Sequence, residues 1–178
     1  KFLETHFYRY SLGSPYPIGE IKFSKGISGI MNSSYNYTKI SASISDFLQI
    51  PPYGSIYYNF FAGKTIGTLP FMLLDVAPGN EIYYYNKYAY SLLNRWEYVH
   101  DRYMGFGLEH NFGPGLFRYL GITRKLKFRQ FWTAKGLWGS VSEANKLYNT
   151  TPGYSFNSLN GRTYMEVGTG VDNIFKVF

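Results

Sequence analysis

The chain has 178 residues, a formal charge of +7 and no cysteine; 16% of it is charged and 21% aromatic, with 19 Tyr and 15 Phe. Without cysteine there is no disulfide frame, thiolate metal site or cysteine nucleophile, and no apolar run reaches the length of about 18 residues that a transmembrane helix needs. A membrane barrel stays open, because its strands need only about 9–11 alternating residues and its two interfaces take up Tyr and Trp.

In chain order, the start at Lys1 without initiator Met or signal pattern predicts a mature or partial chain. Residues 1–12 read as a weakly patterned first strand, closed by a turn with Gly13, Pro15 and Pro17. Ile18–Ser28 sets Glu20, Lys22 and Ser24 opposite Ile21 and Phe23. The clearest alternation follows: Thr38, Ile40, Ala42 and Ile44 point one way, Lys39, Ser41, Ser43 and Ser45 the other. A row of serines makes a poor core and a good wetted wall.

After the turn at Gln49–Pro52, Tyr53–Gly67 carries Ile56, Tyr58, Phe60 and Ala62 on its outer face. Residues 68–94 are interrupted by Pro70, Pro78, Gly79 and Asn80, which predicts a long, aromatic-rich loop. Arg95–Phe112 then alternates again. Met104, Phe106 and Leu108 form one face; Tyr103, Gly105, Gly107 and Glu109 form the other. A hairpin turn at Val99–Asp101 would put the long loops at opposite ends of the sheet. A single strand over 97–112 puts them at the same end, as outer-membrane barrels do. Strands at 124–138 and 161–172, separated by an extracellular loop at 138–161, bring the expected total to about seven.

Basic residues interleave with aromatics in KLKFRQFW, a pattern that can signal nucleic-acid binding. The phase argues against it: Lys125, Lys127, Arg129 and Lys135 share one face, while Leu126, Phe128, Trp132, Ala134 and Trp138 share the other. A stacking platform needs both on one face.

Alternation places Met104, Phe106, Leu108, Phe128, Trp132 and Trp138 toward lipid. It places Glu109, Lys127, Arg129 and Glu166 on the lumenal wall, where Glu109 sits across a strand pair from Lys127 or Arg129; Glu97, Asp101 and Arg102 are assigned to the same wall. Structural charge pairing is the expected role, with docking or transport as the alternative. Gly105, Gly107, Gly168 and Gly170 share the lumenal phase, either giving the returning loop room or bending the strands. The three histidines are scattered, and no paired-His motif, nucleophile elbow or phosphate-binding glycine loop occurs. No catalysis, metal or cofactor is expected.

The blocks LPFMLLDVAPGN, RWEYVHDRYMGFGLEHNF, KLKFRQFWTAKGLWG and YMEVGTGVDNIFKVF occur in an order that resembles the C-terminal barrel of a family of uncharacterised outer-membrane proteins of Bacteroidota. The resemblance runs from about Pro17 to the end, and the full chains of that family usually begin with a carboxypeptidase-regulatory-like β domain. That barrel is in turn similar to the BamA and TamA assembly barrels. The resemblance implies an all-β fold in which residues 1–178 form part of a single antiparallel transmembrane β-barrel, the C-terminal half of roughly 16 strands. It implies that the long loop folds back into the lumen, that roughly two more strands follow Phe178, and that the protein is integral to the outer membrane. The expected partners are outer-membrane lipid or lipopolysaccharide and other outer-membrane or periplasmic proteins. One departure is clear: assembly barrels carry an Arg-Gly-aromatic tip on that loop, and Gly79–Tyr83 contains no arginine. The implied function is non-enzymatic, in outer-membrane biogenesis or as a subunit of an outer-membrane complex. A passive channel wall and a soluble, secreted β-sandwich binding module are the alternatives.

Overall fold

The computed structural model describes residues 2–4, 9–11, 16–30, 32–82, 84–119, 128–150 and 156–174. These residues form an all-β chain. Its strands are β1 Phe2–Glu4, β2 Arg9–Ser11, β3 Ile18–Gly26, β4 Tyr37–Gln49, β5 Ser55–Ile66, β6 Asp75–Val76, β7 Val99–His100, β8 Arg102–Asn111, β9 Arg129–Ser140 and β10 Thr163–Asp172, with one short helix, α1, at Glu143–Tyr148. Six strands make one antiparallel sheet in the order β10-β9-β8-β5-β4-β3, and β1–β2 and β6–β7 make two small pairs. The large sheet is open, with β3 and β10 as its edges. No helix among the described residues is long and apolar enough to cross a membrane.

Register explains why the strands hold together. Ile21, Ala42, Ala62, Met104, Trp138 and Thr163 stand in one row across all six strands, and Gly19, Ile44, Phe60, Phe106, Gly136 and Met165 in the next. The intervening rows on the other face hold Ser43, Phe61, Gly105, Leu137 and Tyr164, then Ser45, Asn59, Gly107, Lys135 and Glu166. Because the side-chain period is two, a slip of one residue at any pair would invert a whole strand. The turn between β4 and β5 depends on Gly54, whose φ of +93° suits glycine and whose added Cβ would strike the carbonyl of Asn111.

The core lies on the polar side of this sheet. One cluster joins Ala77, Tyr90, Leu93, Leu137 and Leu159; a second joins Leu69, Leu74, Val99 and Val141. The segment from residue 67 to 98 thus supplies most of the buried apolar groups and lies on the polar side of the sheet over Lys135 and Glu166. The opposite face has no cover among the described residues: Ile21, Phe23, Ile40, Ile44, Phe60, Met104, Leu108, Trp132, Met165 and Val167 are all exposed. A soluble sheet buries its apolar face and wets its polar one; here the arrangement is reversed.

Several expectations are corrected. The expected first strand at 1–12 is, in its described part, two three-residue strands paired as Phe2↔Ser11 through Glu4↔Arg9. The strand expected at 97–112 is broken at Asp101: Val99 and His100 pair with Val76 and Asp75 in a separate sheet, and β8 starts at Arg102. At the break the Asp101 carboxylate accepts hydrogen bonds from the backbone N–H of Ser142 (2.7 Å) and from Asn145 Nδ2 (3.0 Å), while its own backbone still bridges the neighbouring strands, accepting from Thr65 N at 2.6 Å and donating to Ser140 O at 3.1 Å. The strand expected at 124–138 is β9, at Arg129–Ser140; Lys125 and Lys127 lie outside the described residues.

Neither long connection is structureless. The first contains a 3-10 turn at Phe71–Leu73 and strand β6, and the second contains α1. Asn145 on α1 and Asn149, its C-cap residue four positions on, bind the backbone of the first connection. Asn145 Oδ1 accepts from Leu69 N at 2.9 Å and Asn149 Oδ1 from Phe71 N at 2.7 Å, while Asn149 Nδ2 donates to Leu69 O at 2.9 Å. Asn145 is fully buried. Asn145→Ala removes the acceptor of the buried Leu69 N–H and a donor to the buried Asp101 carboxylate and should lower stability by about 3 kcal/mol, read as a lower urea midpoint of the detergent-solubilised protein; an unchanged midpoint would show that α1 is not an anchor.

Candidate functional site

The polar side chains of the sheet converge under the segment from Pro78 to Leu93. This segment closes on itself first: Tyr90 N donates to Pro78 O and Asn80 N to Leu93 O, both at 2.8 Å. It then docks on β8, β9 and β10 through two charged side chains of the sheet. Glu166 accepts from the backbone N–H groups of Ser91 (2.9 Å) and Leu92 (3.2 Å) and from the Tyr164 hydroxyl (3.0 Å). Lys135, directly opposite Glu166 in the ladder, donates to the carbonyls of Ala89 and Asn86, with its Nζ 3.8 Å from the Glu166 carboxylate. Both side chains are about 5% exposed. A buried ion pair this well provided with hydrogen bonds is held in place by the backbone it holds.

Tyrosines complete the contact. The Tyr90 hydroxyl donates to Gly136 O at 2.7 Å, and Tyr85 donates to Glu109 Oε2 at 2.6 Å. Burial, reinforced by the neighbouring carboxylates, pushes both phenols well above their ordinary range, so both remain donors. Lys87 lies 4.4 Å above the Tyr57 ring, a cation–π contact that fixes the tip of the segment over β5.

A second polar group ties the start of the long connection. Asp75 accepts from Lys39 Nζ at 3.2 Å and from Thr65 Oγ1 at 2.7 Å. Opposite Asp75 in the β6–β7 pair stands His100, fully buried, with no hydrogen-bond partner for either ring nitrogen among the described residues. Burial lowers its pKa from 6.5 to about 4, against the opposing pull of Asp75 and Asp101. The unfolded chain therefore binds a proton that the folded chain refuses between those values. Stability is complete above pH ~6.5 and falls, by on the order of 3 kcal/mol, as the pH drops to about 4. His100→Leu should flatten the dependence of thermal midpoint on pH across that window, and an unaltered slope would place the titration elsewhere.

The expected wall residues separate into three groups. Glu109, Arg129 and Glu166 are on the polar face. Glu109 stands across from Thr133 and Tyr57, and not from Lys127 or Arg129; Arg129 stands across from Asp172. Arg102 has the opposite phase, with Met104, and its Nε donates to Ser140 Oγ at 2.7 Å. Glu97 is not on the sheet: it caps a turn by accepting from Asn94 N at 2.8 Å. Asp101 is in the bend before β8, and Lys127 lies outside the described residues. Of the apolar set, Met104, Leu108 and Trp132 are exposed, Phe106 and Trp138 are half-buried, and Phe128 packs edge-on against Phe117.

Of the two readings of the glycines, room for the returning segment is not what their neighbours show. A Cβ at Gly105 would meet the Phe61 ring at 2.5 Å, one at Gly170 would meet the Phe131 ring, one at Gly168 would meet Thr133 Oγ1, and Gly107 has open space. Cross-strand side chains, not the returning segment, occupy the room at Gly105, Gly168 and Gly170. Phe106 covers Gly136, and Tyr103 covers Gly63, in the same way. Rings laid over strand glycines shield backbone that would otherwise be bare and pin the register.

Sequence reasoning missed Lys135 as the partner of Glu166, and also Tyr85, Tyr90 and His100. Lys135 carried a signal, since it shares the phase of Arg129, but choosing among the basic residues of that strand required the register. No group of three or more potential metal ligands occurs among the described residues.

Residues 1–148 match the model of a family of unknown function, DUF5686, over its C-terminal domain. The chain belongs to that family. No protein of curated function and no solved structure matches this DUF5686 domain. What the family match covers is β1 through α1, and so every strand of the sheet but β10, together with the whole docked segment.

Proposed function

We propose that this DUF5686 domain is part of a transmembrane β-barrel in a Gram-negative outer membrane, without catalytic activity, acting in outer-membrane biogenesis or as a subunit of an outer-membrane complex. The observation that carries the reading is the uncovered apolar face. Across six strands it offers aliphatic and aromatic side chains to the surroundings, while the polar face of β8, β9 and β10 is packed under the chain's own connection. Strands of 9–13 residues have the length that a tilted strand needs to cross the hydrocarbon core. Sheet edges do not persist in lipid, so in this reading β3 and β10 pair with strands outside the described residues to close the barrel.

The resemblance to BamA- and TamA-type barrels adds the biogenesis part, and the docked segment is consistent with it in placement. The chemistry of docking is its own: the charges, Lys135 and Glu166, come from the wall, and the segment answers with backbone amides and carbonyls. A passive channel is favoured less, because the segment covers the polar face of β8, β9 and β10. A secreted β-sandwich is favoured less, because no second sheet covers the apolar face among the described residues.

The test uses the full-length protein in cell envelopes. The expected result is retention in the membrane pellet after a carbonate wash, heat-modifiable migration on gels, and no steady conductance in planar bilayers. Release by carbonate would overturn the membrane reading; a large open conductance would replace the assembly reading with the channel.

A further inference from the structure

We propose that Lys64 and Arg102 form a site for the phosphate of an anionic lipid headgroup, at one end of the apolar face. The inference rests on the membrane reading above. The two residues are direct cross-strand partners on the phase of Ala62 and Met104. Like charges set opposite each other in a ladder repel, and both side chains are exposed at the end of a mainly apolar face. Among the described residues, neither has a carboxylate within ion-pair distance. Arg102 is steadied by its Nε bond to Ser140 Oγ, which leaves the other guanidinium nitrogens to bind an anion.

Three further observations point to phosphate. Lys64 and Arg102 border a cleft of about 390 Å³ that Thr68 and Ser142 also line, so hydroxyl donors stand beside the cations. Asp101, the carboxylate lining this cleft, is buried and already accepts from Ser142 N and Asn145 Nδ2. Among the described residues, the cations of the apolar phase lie at this end: Lys25 stands in the row Lys25–Thr38–Ile66, next to Lys64 and Arg102, while the far end carries Asp46. A guanidinium binds a phosphate through two parallel bonds and an ammonium adds a point charge. At the edge of a hydrocarbon band, the phosphate within reach is that of a lipid.

The test is native mass spectrometry of the full-length protein in detergent, titrated with phosphatidylglycerol, with phosphatidylcholine of the same acyl chains, and with inorganic phosphate. Wild type should hold phosphatidylglycerol adducts in preference to phosphatidylcholine. Each cation lost should weaken that binding about fivefold, and Lys64→Gln with Arg102→Gln together about 25-fold; Lys64→Arg with Arg102→Lys should retain it. Lys64→Gln alone, at an exposed position, gives the reading if the double variant misfolds. Equal adducts in wild type and the Gln variants would overturn the site. Binding of inorganic phosphate as tight as that of the lipid would make it a free-anion site and overturn the lipid assignment. A carbonate wash of the same envelopes separates the two readings. If wild type stays in the pellet and the adducts do not change, only the site falls; if wild type is released, the membrane reading and the site fall together.

Discussion

Glu166→Ala should free the segment from Pro78 to Leu93 from the sheet while leaving the strands paired. The substitution removes the acceptor for Ser91 N, Leu92 N and the Tyr164 hydroxyl, and leaves the Lys135 ammonium buried with only the carbonyls of Ala89 and Asn86. Breaking a buried pair from one side costs about 3–5 kcal/mol, which multiplies the population of the undocked segment by about a hundred or more. Tyr84 and Tyr88, already exposed at the tip of the segment, are chymotrypsin sites. Limited proteolysis of the detergent-solubilised variant should therefore cut there far faster than in wild type. Lys135→Met combined with Glu166→Gln keeps the volume and removes both charges, and should lie nearer to wild type than Glu166→Ala does, because it leaves no uncompensated buried charge. Cleavage of Glu166→Ala at the wild-type rate would mean that the Lys135–Glu166 pair does not hold the segment.

Much of the sheet was legible because alternation is a local signal. Thr38–Ser45 states the facing of β4 in eight residues, and Met104 to Leu108 does so for β8; the structure keeps both phases. What failed was everything that depends on distance along the chain. Glu109 was set against Lys127 or Arg129, but register places it against Thr133, and register is decided by the connection between β8 and β9, whose path periodicity does not reveal. The role of Asp101 was hidden for a related reason, since the partners of its carboxylate, Ser142 and Asn145, lie some 40 residues away. Helix α1 has six residues, too few to show a period, and Asn145 and the C-cap Asn149 have meaning only beside the backbone at 69–71. The docking of the long connection left the faintest trace of all, because Ser91, Leu92, Ala89 and Asn86 bind through main-chain atoms, which no side-chain pattern records.

Phe106→Arg should be the most damaging single change on the apolar face, and its position in the sheet says why. The apolar rows run from the one containing Lys64 and Arg102 to the one containing Leu48, Ile56, His110 and Trp132, and Phe106 belongs to the middle row with Ile44, Phe60 and Met165. An arginine at the bilayer midplane of a barrel costs about 2–4 kcal/mol, falling to about 0–1 kcal/mol near the interfaces. Trp132, in the last row, should therefore tolerate arginine better than Phe106 does. Phe106→Arg also uncovers Gly136, which the ring shields, so its cost belongs at the upper end of the range. Ser43→Lys is the matching control on the other face: Ser43 faces Glu20 across the β3–β4 pair, so the new ammonium meets a carboxylate in a polar setting and the change should be mild. The measurement is the urea midpoint for folding into phosphatidylcholine vesicles. The order Phe106→Arg, then Trp132→Arg, then Ser43→Lys, from most to least destabilised, is what a lipid-facing apolar surface requires. If Ser43→Lys were as damaging as Phe106→Arg, hydrocarbon would not be the solvent of that face, and the membrane reading would lose the observation that carries it.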